Sequence, residues 1–134
     1  MSDRYEQGMK TRREVLGDEH VDRAIKNTTD FTEPFQDFIT RYAWGDVWAR
    51  DGLDRRTRSI VTLTALTALR AENEIAMHVR AAITNGLTPA EITEVLLHTA
   101  VYAGLPRANR AVAIARQVLA ELEPATTERP PDHG

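Results

Sequence analysis

The stretch Ile60-Val-Thr-Leu-Thr-Ala-Leu-Thr-Ala-Leu69 decides the fold. Its β-branched residues suit a strand, and a strand here would make the protein a mixed α/β one. The run is long for a strand and is apolar or small on nearly all sides. We read it as a helix, opened by Asp54 as N-cap after the Asp51-Gly52 turn. Such a helix is expected to be buried, on one face or on both.

The neighbouring segments follow the same period. A fifth helix is predicted from about Asn73 to Asn85, closed by Gly86. Thr88-Pro-Ala-Glu91 is a capping box with proline at the first helical position, so a sixth helix starts there. Its inner stripe is Ile92, Val95, Leu96, Thr99, Ala100 and Ala103, and Gly104 ends it. Pro106 helps to open a seventh, with Val112, Ala115, Val118, Leu119 and Leu122 expected inside. Upstream, Asp3 caps a first helix through about Leu16, and Gly17 stops it. A short second helix runs from about Glu19 to Asn27. Thr32-Glu-Pro-Phe opens the third, where Phe35, Phe38, Ile39 and Tyr42 keep helical spacing and a C-terminus is expected near Gly45. The reading is all-α, about seven helices, with residues 1–123 as one helical domain. Residues 124–134 carry three prolines and no apolar period, and are expected to be a disordered tail.

Composition narrows the chemistry. With 134 residues, 42% hydrophobic and 28% charged, the chain is of ordinary globular make-up. No apolar run approaches a membrane span and no signal-like start appears, so the expected location is cytoplasmic. A net charge of −3 argues against nucleic acid as partner. There is no cysteine, which removes disulfides, thiolate metal sites and thiol redox chemistry. Only Lys10 and Lys26 among the 17 basic residues are lysine; the rest are arginine, which suits carboxylates, although coding bias gives the same skew.

Two local patterns bear on function. In Glu72-Asn-Glu74-Ile-Ala-Met-His78, Glu74 and His78 share a helix face, and His78 lies on the inward stripe with Ile75 and Ala82. A carboxylate one turn earlier would hold the imidazole in one tautomer, poised near neutral pH. By spacing alone a hydrogen-bonded core histidine fits as well, and two ligands are too few for a metal site. His20, His98 and His133 read as structural or solvent-facing. The second pattern is Arg41-Tyr-Ala-Trp-Gly-Asp-Val-Trp48: either core packing at a helix end, or an apolar pocket wall with an arginine for a carboxylate. Arg50, Arg55, Arg56 and Arg58 cluster at the start of the fourth helix. Arg58 alone directly precedes the buried Ser59-Ile-Val61 run and is expected to face a cavity.

These residues resemble the gamma-carboxymuconolactone decarboxylase family, within the alkylhydroperoxidase-D-like superfamily. The resemblance runs from Tyr5 to about Glu123. It is strongest in Arg12-Arg-Glu-Val-Leu-Gly-Asp-Glu-His-Val-Asp22, Phe35 to Trp48, Thr57-Arg-Ser59, His78-Val-Arg-Ala-Ala82, Asn85-Gly86 and Glu94-Val-Leu-Leu97. The Arg41-Tyr-Ala-Trp-Gly45 segment is specific to the decarboxylase branch. Redox members of the superfamily carry Cys-x-x-Cys and a relay Glu. Here those positions are Ala71, Glu74 and Ser59, so peroxidase chemistry is not expected.

The resemblance implies decarboxylation of 4-carboxymuconolactone, a lactone dicarboxylate, to the enol-lactone of 3-oxoadipate in protocatechuate catabolism. It implies no cofactor, because the lactone carbonyl accepts the electron pair left by CO2. It also implies a homo-oligomer, commonly a hexamer. On that reading His78 protonates the dienolate or donates to its oxygen, and Glu74 orients it. Tyr42, Trp44 and Trp48 wall the departing carboxylate, and Arg41 or Arg58 anchors the acetate arm. A related cofactor-free lactone or keto-acid enzyme, and a non-enzymatic helical oligomer that binds a small acid, are the alternatives.

Overall fold

The computed structural model describes residues 3–123. In chain order it contains α1 (Arg4–Leu16), α2 (Asp18–Lys26), α3 (Glu33–Ile39) and a π-helix (Thr40–Trp48) that continues α3 without a break. Then follow α4 (Arg55–Leu69), α5 (Glu72–Thr84), α6 (Pro89–Ala103) and α7 (Leu105–Leu122). No strand occurs among the described residues, so the fold is all-α. The expected tail, 124–134, lies outside the described residues.

The caps fall where their chemistry demands. Asp3 accepts from the Tyr5 N–H at 2.9 Å and Asp54 from the Thr57 N–H at 2.7 Å. In the capping box, Glu91 donates its N–H to the Thr88 hydroxyl and accepts from the Thr88 N–H. Arg70, after α4, takes the left-handed conformation (φ 59°) that glycine adopts at lowest cost.

Helix α4 is buried on one face only. Ser59, Leu63 and Thr67 are buried one turn apart, whereas Val61 and Leu69 are exposed. The aromatic stripe of α3 also turns outward. Phe35, Phe38 and Tyr42 keep the expected helical spacing and, with Phe31 before the helix, are all exposed, so this period marks an open face. In α7 the buried stripe is Ala108, Ala111, Ala115 and Val118, while Val112 and Leu122 are largely exposed. Alanines let α7 lie close to its neighbours, and the face they define wins over the larger residues.

Gly45 is not a helix end. A Cβ at Gly45 would stand 2.6 Å from the Arg4 carbonyl oxygen, and one at Gly8 would stand 2.0 Å from that of Thr40. Two glycines thus let α1 and the π-helix touch backbone to backbone, and the helix runs on to Trp48. A π-helix is rare, and such turns recur at functional sites.

Two cores result, with α5 between them. Leu63, Ile75, Val79, Ala82, Leu87, Ile92, Leu96, Ala111, Ala115 and Val118 form the aliphatic core of the α4–α7 bundle. Val15, Trp44 and Ala81, with Leu16, Ile39, Ala43 and Trp48 against them, join α1 and the π-helix to the other face of α5.

Candidate active site

His78 sits at the seam between the two cores. Its ring lies 6.3 Å from Trp44 and 6.2 Å from Trp48 between centroids, with interplanar angles of 7° and 23°. The two indoles are 5.1 Å apart. Only 8% of His78 is exposed, and its Nδ1 is buried without a hydrogen-bond partner. Burial against the indoles, with the charge of His20 as the second cause, lowers its pKa to about 4. His78 is therefore neutral at neutral pH. The sequence expectation of a pKa near neutrality assumed a carboxylate at Nδ1; the group that actually faces His78 electrostatically is another histidine.

Of the sequence-selected residues, the structure brings together His78, Trp44 and Trp48. Glu74 lies one turn before His78 on α5 but is exposed, and the expected hydrogen bond to Nδ1 is not formed. Arg41 is held by carboxylates of its own layer. Its Nε meets Asp37 at 3.0 Å and its Nη1 meets Asp3 at 3.4 Å, and the guanidinium lies 5.3 Å over the Tyr5 ring. Tyr42 is exposed and stacks on Phe38 at 5.3 Å. Arg58 donates from Nη2 to the Arg50 carbonyl at 3.3 Å, two residues beyond Trp48, and its Nε is buried without a partner. Its cluster neighbours pair outward, Arg55 with Glu14 and Arg56 with Glu91. Ser59 is fully buried and accepts from Asn85 Nδ2 at 2.9 Å, tying α4 to the end of α5.

Two residues escaped sequence reasoning. His20, half-buried on α2, lies within electrostatic range of both His78 and Arg12. Burial first, and then the charges of Arg12 and Arg23, hold its pKa below the ordinary value. Arg12 is 7% exposed, and burial lowers its pKa as well. A signal was present: Gly8, Thr11, Arg12 and Val15 make the buried stripe of α1, so helical period alone puts a charge inside.

Among the described residues no group of three or more histidines or carboxylates stands together to hold a metal ion. No helix among them is long and apolar enough to cross a membrane.

Comparison with known proteins places this arrangement. Residues 33–117 match the family described as the carboxymuconolactone decarboxylase family. Over 119 residues the chain is 50% identical to the 4-carboxymuconolactone decarboxylase of Acinetobacter baylyi, covering 89% of each chain. Over 118 residues it is 43% identical to nitrosuccinic acid decarboxylase npaB of Metarhizium robertsii, covering 88% of this chain and 82% of the relative. A 4-carboxymuconolactone decarboxylase of Pseudomonas putida is 56% identical over 43 residues, which are 32% of this chain and 90% of the relative.

Proposed function

The chain belongs to the carboxymuconolactone decarboxylase family, and from that premise we propose that it is a carboxy-lyase converting 4-carboxymuconolactone to the enol-lactone of 3-oxoadipate in protocatechuate catabolism. The observation that carries the reading is a buried, neutral imidazole laid against two indole faces.

The chemistry asks little more. The bond from the ring carbon to the departing carboxylate breaks, and its electron pair moves through the ring double bond to the lactone carbonyl. CO2 leaves, and the dienolate takes a proton at the carbon beside the carbonyl. An apolar wall destabilises the reacting carboxylate relative to the charge-dispersed transition state, and Trp44 and Trp48 supply it. A neutral imidazole donates a hydrogen bond to the developing enolate oxygen, and its low pKa keeps it neutral for that task. A bound dianion raises that pKa, so the same ring can pick up and deliver the proton. Arg58, held by the Arg50 carbonyl just past Trp48, backs the indole wall in this reading. Glu74 orients His78 by a rotamer change that brings its carboxylate one turn along the helix to Nδ1.

The working form is a homo-oligomer, a hexamer by the family resemblance. The exposed stripe Phe31, Phe35, Phe38 and Tyr42 supports this, because monomers seldom leave such a face open. Arg41 and Tyr42 then belong to the subunit contact beside the site. The location is the cytoplasm.

The test is to incubate folded protein with freshly prepared 4-carboxymuconolactone and to follow CO2 release, which is expected without added cofactor. A folded oligomer that releases none would end the proposal. The npaB relative favours one second reading, a nitro-substituted succinate as substrate, and nitrosuccinate in the same assay decides it.

A further inference from the structure

The sheltered arginines of this protein fall into two groups. Arg13, Arg41, Arg55 and Arg56, all partly exposed, each meet at least one carboxylate. Arg12 and Arg58 meet none among the described residues. Arg12 is the extreme case. Its Nη1 donates to the Thr40 hydroxyl at 3.2 Å and its Nη2 to the Gln36 side-chain oxygen at 3.1 Å, both neutral acceptors, and its Nε has no partner. The next residue, Arg13, is more exposed yet takes both Asp18 and Asp22. A guanidinium taken out of water without a counter-charge is costly, and folding alone gives no reason to keep it.

Arg12 lines a cleft of about 470 Å3 between α1, α2 and α3. Two carboxylates line it as well, and neither reaches Arg12: Asp37 is bonded to Arg41, and Glu33 is exposed. With Asp37 taken by Arg41 and Glu33 turned to solvent, the guanidinium of Arg12 is the cleft's buried charge without a bonded carboxylate.

The position of Arg12 relative to His78 is set by the π-helix. Arg12 bonds to Thr40, and His78 stacks on Trp44, one turn later on the same inner side. Their contact residues on the π-helix, Thr40 and Trp44, are thus about a turn apart, on the order of 5 Å along the axis, with the His78 ring a further 6.3 Å from the Trp44 ring. His20 lies within electrostatic range of both. A lactone ring with an acetate arm is of similar length.

We propose that Arg12 binds the carboxylate that the substrate keeps, replacing the Gln36 amide at Nη2, so that the carboxylate to be lost lies against Trp44, Trp48 and His78. This inference rests on the decarboxylase reading above. It makes Arg12 the residue that selects for a second carboxylate and sets which of the two leaves. An arginine on the departing carboxylate would stabilise the ground state, whereas one on the retained group orients without that cost. Arg12 lies outside the stretch 33–117 that matches the family.

The experiment compares two substrates on the full chain: 4-carboxymuconolactone, and the analogue in which the acetate arm is a methyl group. Arg12→Gln is expected to lower kcat/KM for the dicarboxylate on the order of 100-fold, mainly through KM, and to change the analogue less than about threefold. Arg12→Lys recovers part of the loss. Equal losses on both substrates would make Arg12 a structural tie between α1 and α3 and overturn the inference. If the wild-type protein turns over neither compound, the decarboxylase reading itself fails, a different result. Gln36→Glu covers the case in which Arg12→Gln does not fold. It gives Arg12 an internal carboxylate, so Tm is expected to rise while KM for the dicarboxylate rises about tenfold and kcat holds. An unchanged KM in Gln36→Glu would overturn the inference as well.

Discussion

The two faces of α5 are built on opposite rules. Toward α4, α6 and α7 it presents Ile75, Val79 and Ala82, which join an aliphatic core with nothing to ionise. Toward α1 and the π-helix it presents His78 and Ala81 beside Trp44, and the layer behind them holds a buried Thr11, Arg12 and Thr40. Among the described residues the bundle side orphans one hydroxyl, Thr67 Oγ1 on α4; the second side orphans atoms of ionisable groups, Nδ1 of His78 and Nε of Arg12. Buried polar groups without partners are few in folded proteins and each asks for a reason. The orphan of the bundle face is neutral. The other face buries ionisable groups, a larger cost that a ligand or a reaction repays.

The comparison is sharpest at His78. In His78→Ala, kcat for decarboxylation is expected to fall by roughly 100- to 10,000-fold, as for loss of a positioned proton donor. The urea midpoint should stay close to that of the wild type, since the residue removed leaves no polar partner behind. Near-wild-type kcat in a folded variant would reduce His78 to a packing residue and erase the distinction between the faces.

The opposite face breaks in the opposite way. Ile92 is 1% exposed within the bundle core, and Ile92→Ala removes buried methyl and methylene groups that little can replace. Denaturant unfolding should show a loss of about 3 kcal/mol, with kcat per folded site unchanged. A kcat loss as large as that of His78→Ala would mean that the bundle core and the site are one mechanical unit.

Much of this architecture was legible in the sequence, and the failures share a cause. Caps and turns are local, so Asp3, Asp54, Thr88-Glu91 and the glycines at 17, 86 and 104 marked helix ends correctly, whereas Gly45, a close-contact glycine, did not. Period 3.6 is local too, and it found the stripes of α3 and α7. Which side of a stripe faces the core is a tertiary matter: Phe35, Phe38 and Tyr42 lie on an open face, and Val112, expected inside, is exposed while alanines fill the inside of α7. At the site, His78 was placed inward by its period, and the family resemblance joined it to Trp44 and Trp48, which do lie close to it in space. His20 and Arg12 were missed because their meaning comes from what they do not meet. No spacing rule shows that a buried arginine lacks a carboxylate, or that Asp37 is already taken by Arg41.

The smallest effect, and the one that tests the burial of His78 most directly, lies in acid. In the unfolded chain His78 takes a proton near 6.5, and in the folded protein near 4. Between those values the unfolded state binds more protons, so stability must fall as pH falls through that window and is at its full value above 6.5. At about 1.4 kcal/mol per pH unit the whole window is worth about 3 kcal/mol, less whatever water enters as the site loosens. His20, lowered for the same first reason, adds a contribution of the same sign. Asp54, lowered by its hydrogen bonds to Thr57, begins to matter only below its ordinary 3.8. Urea unfolding at pH 7 and at pH 4.5 should therefore show a clear loss in the wild-type protein and a smaller one in His78→Gln. The difference between the two slopes measures His78 alone. If the slopes coincide, His78 is solvated in the folded state, and the neutral imidazole on which the chemistry depends is not enforced by the fold.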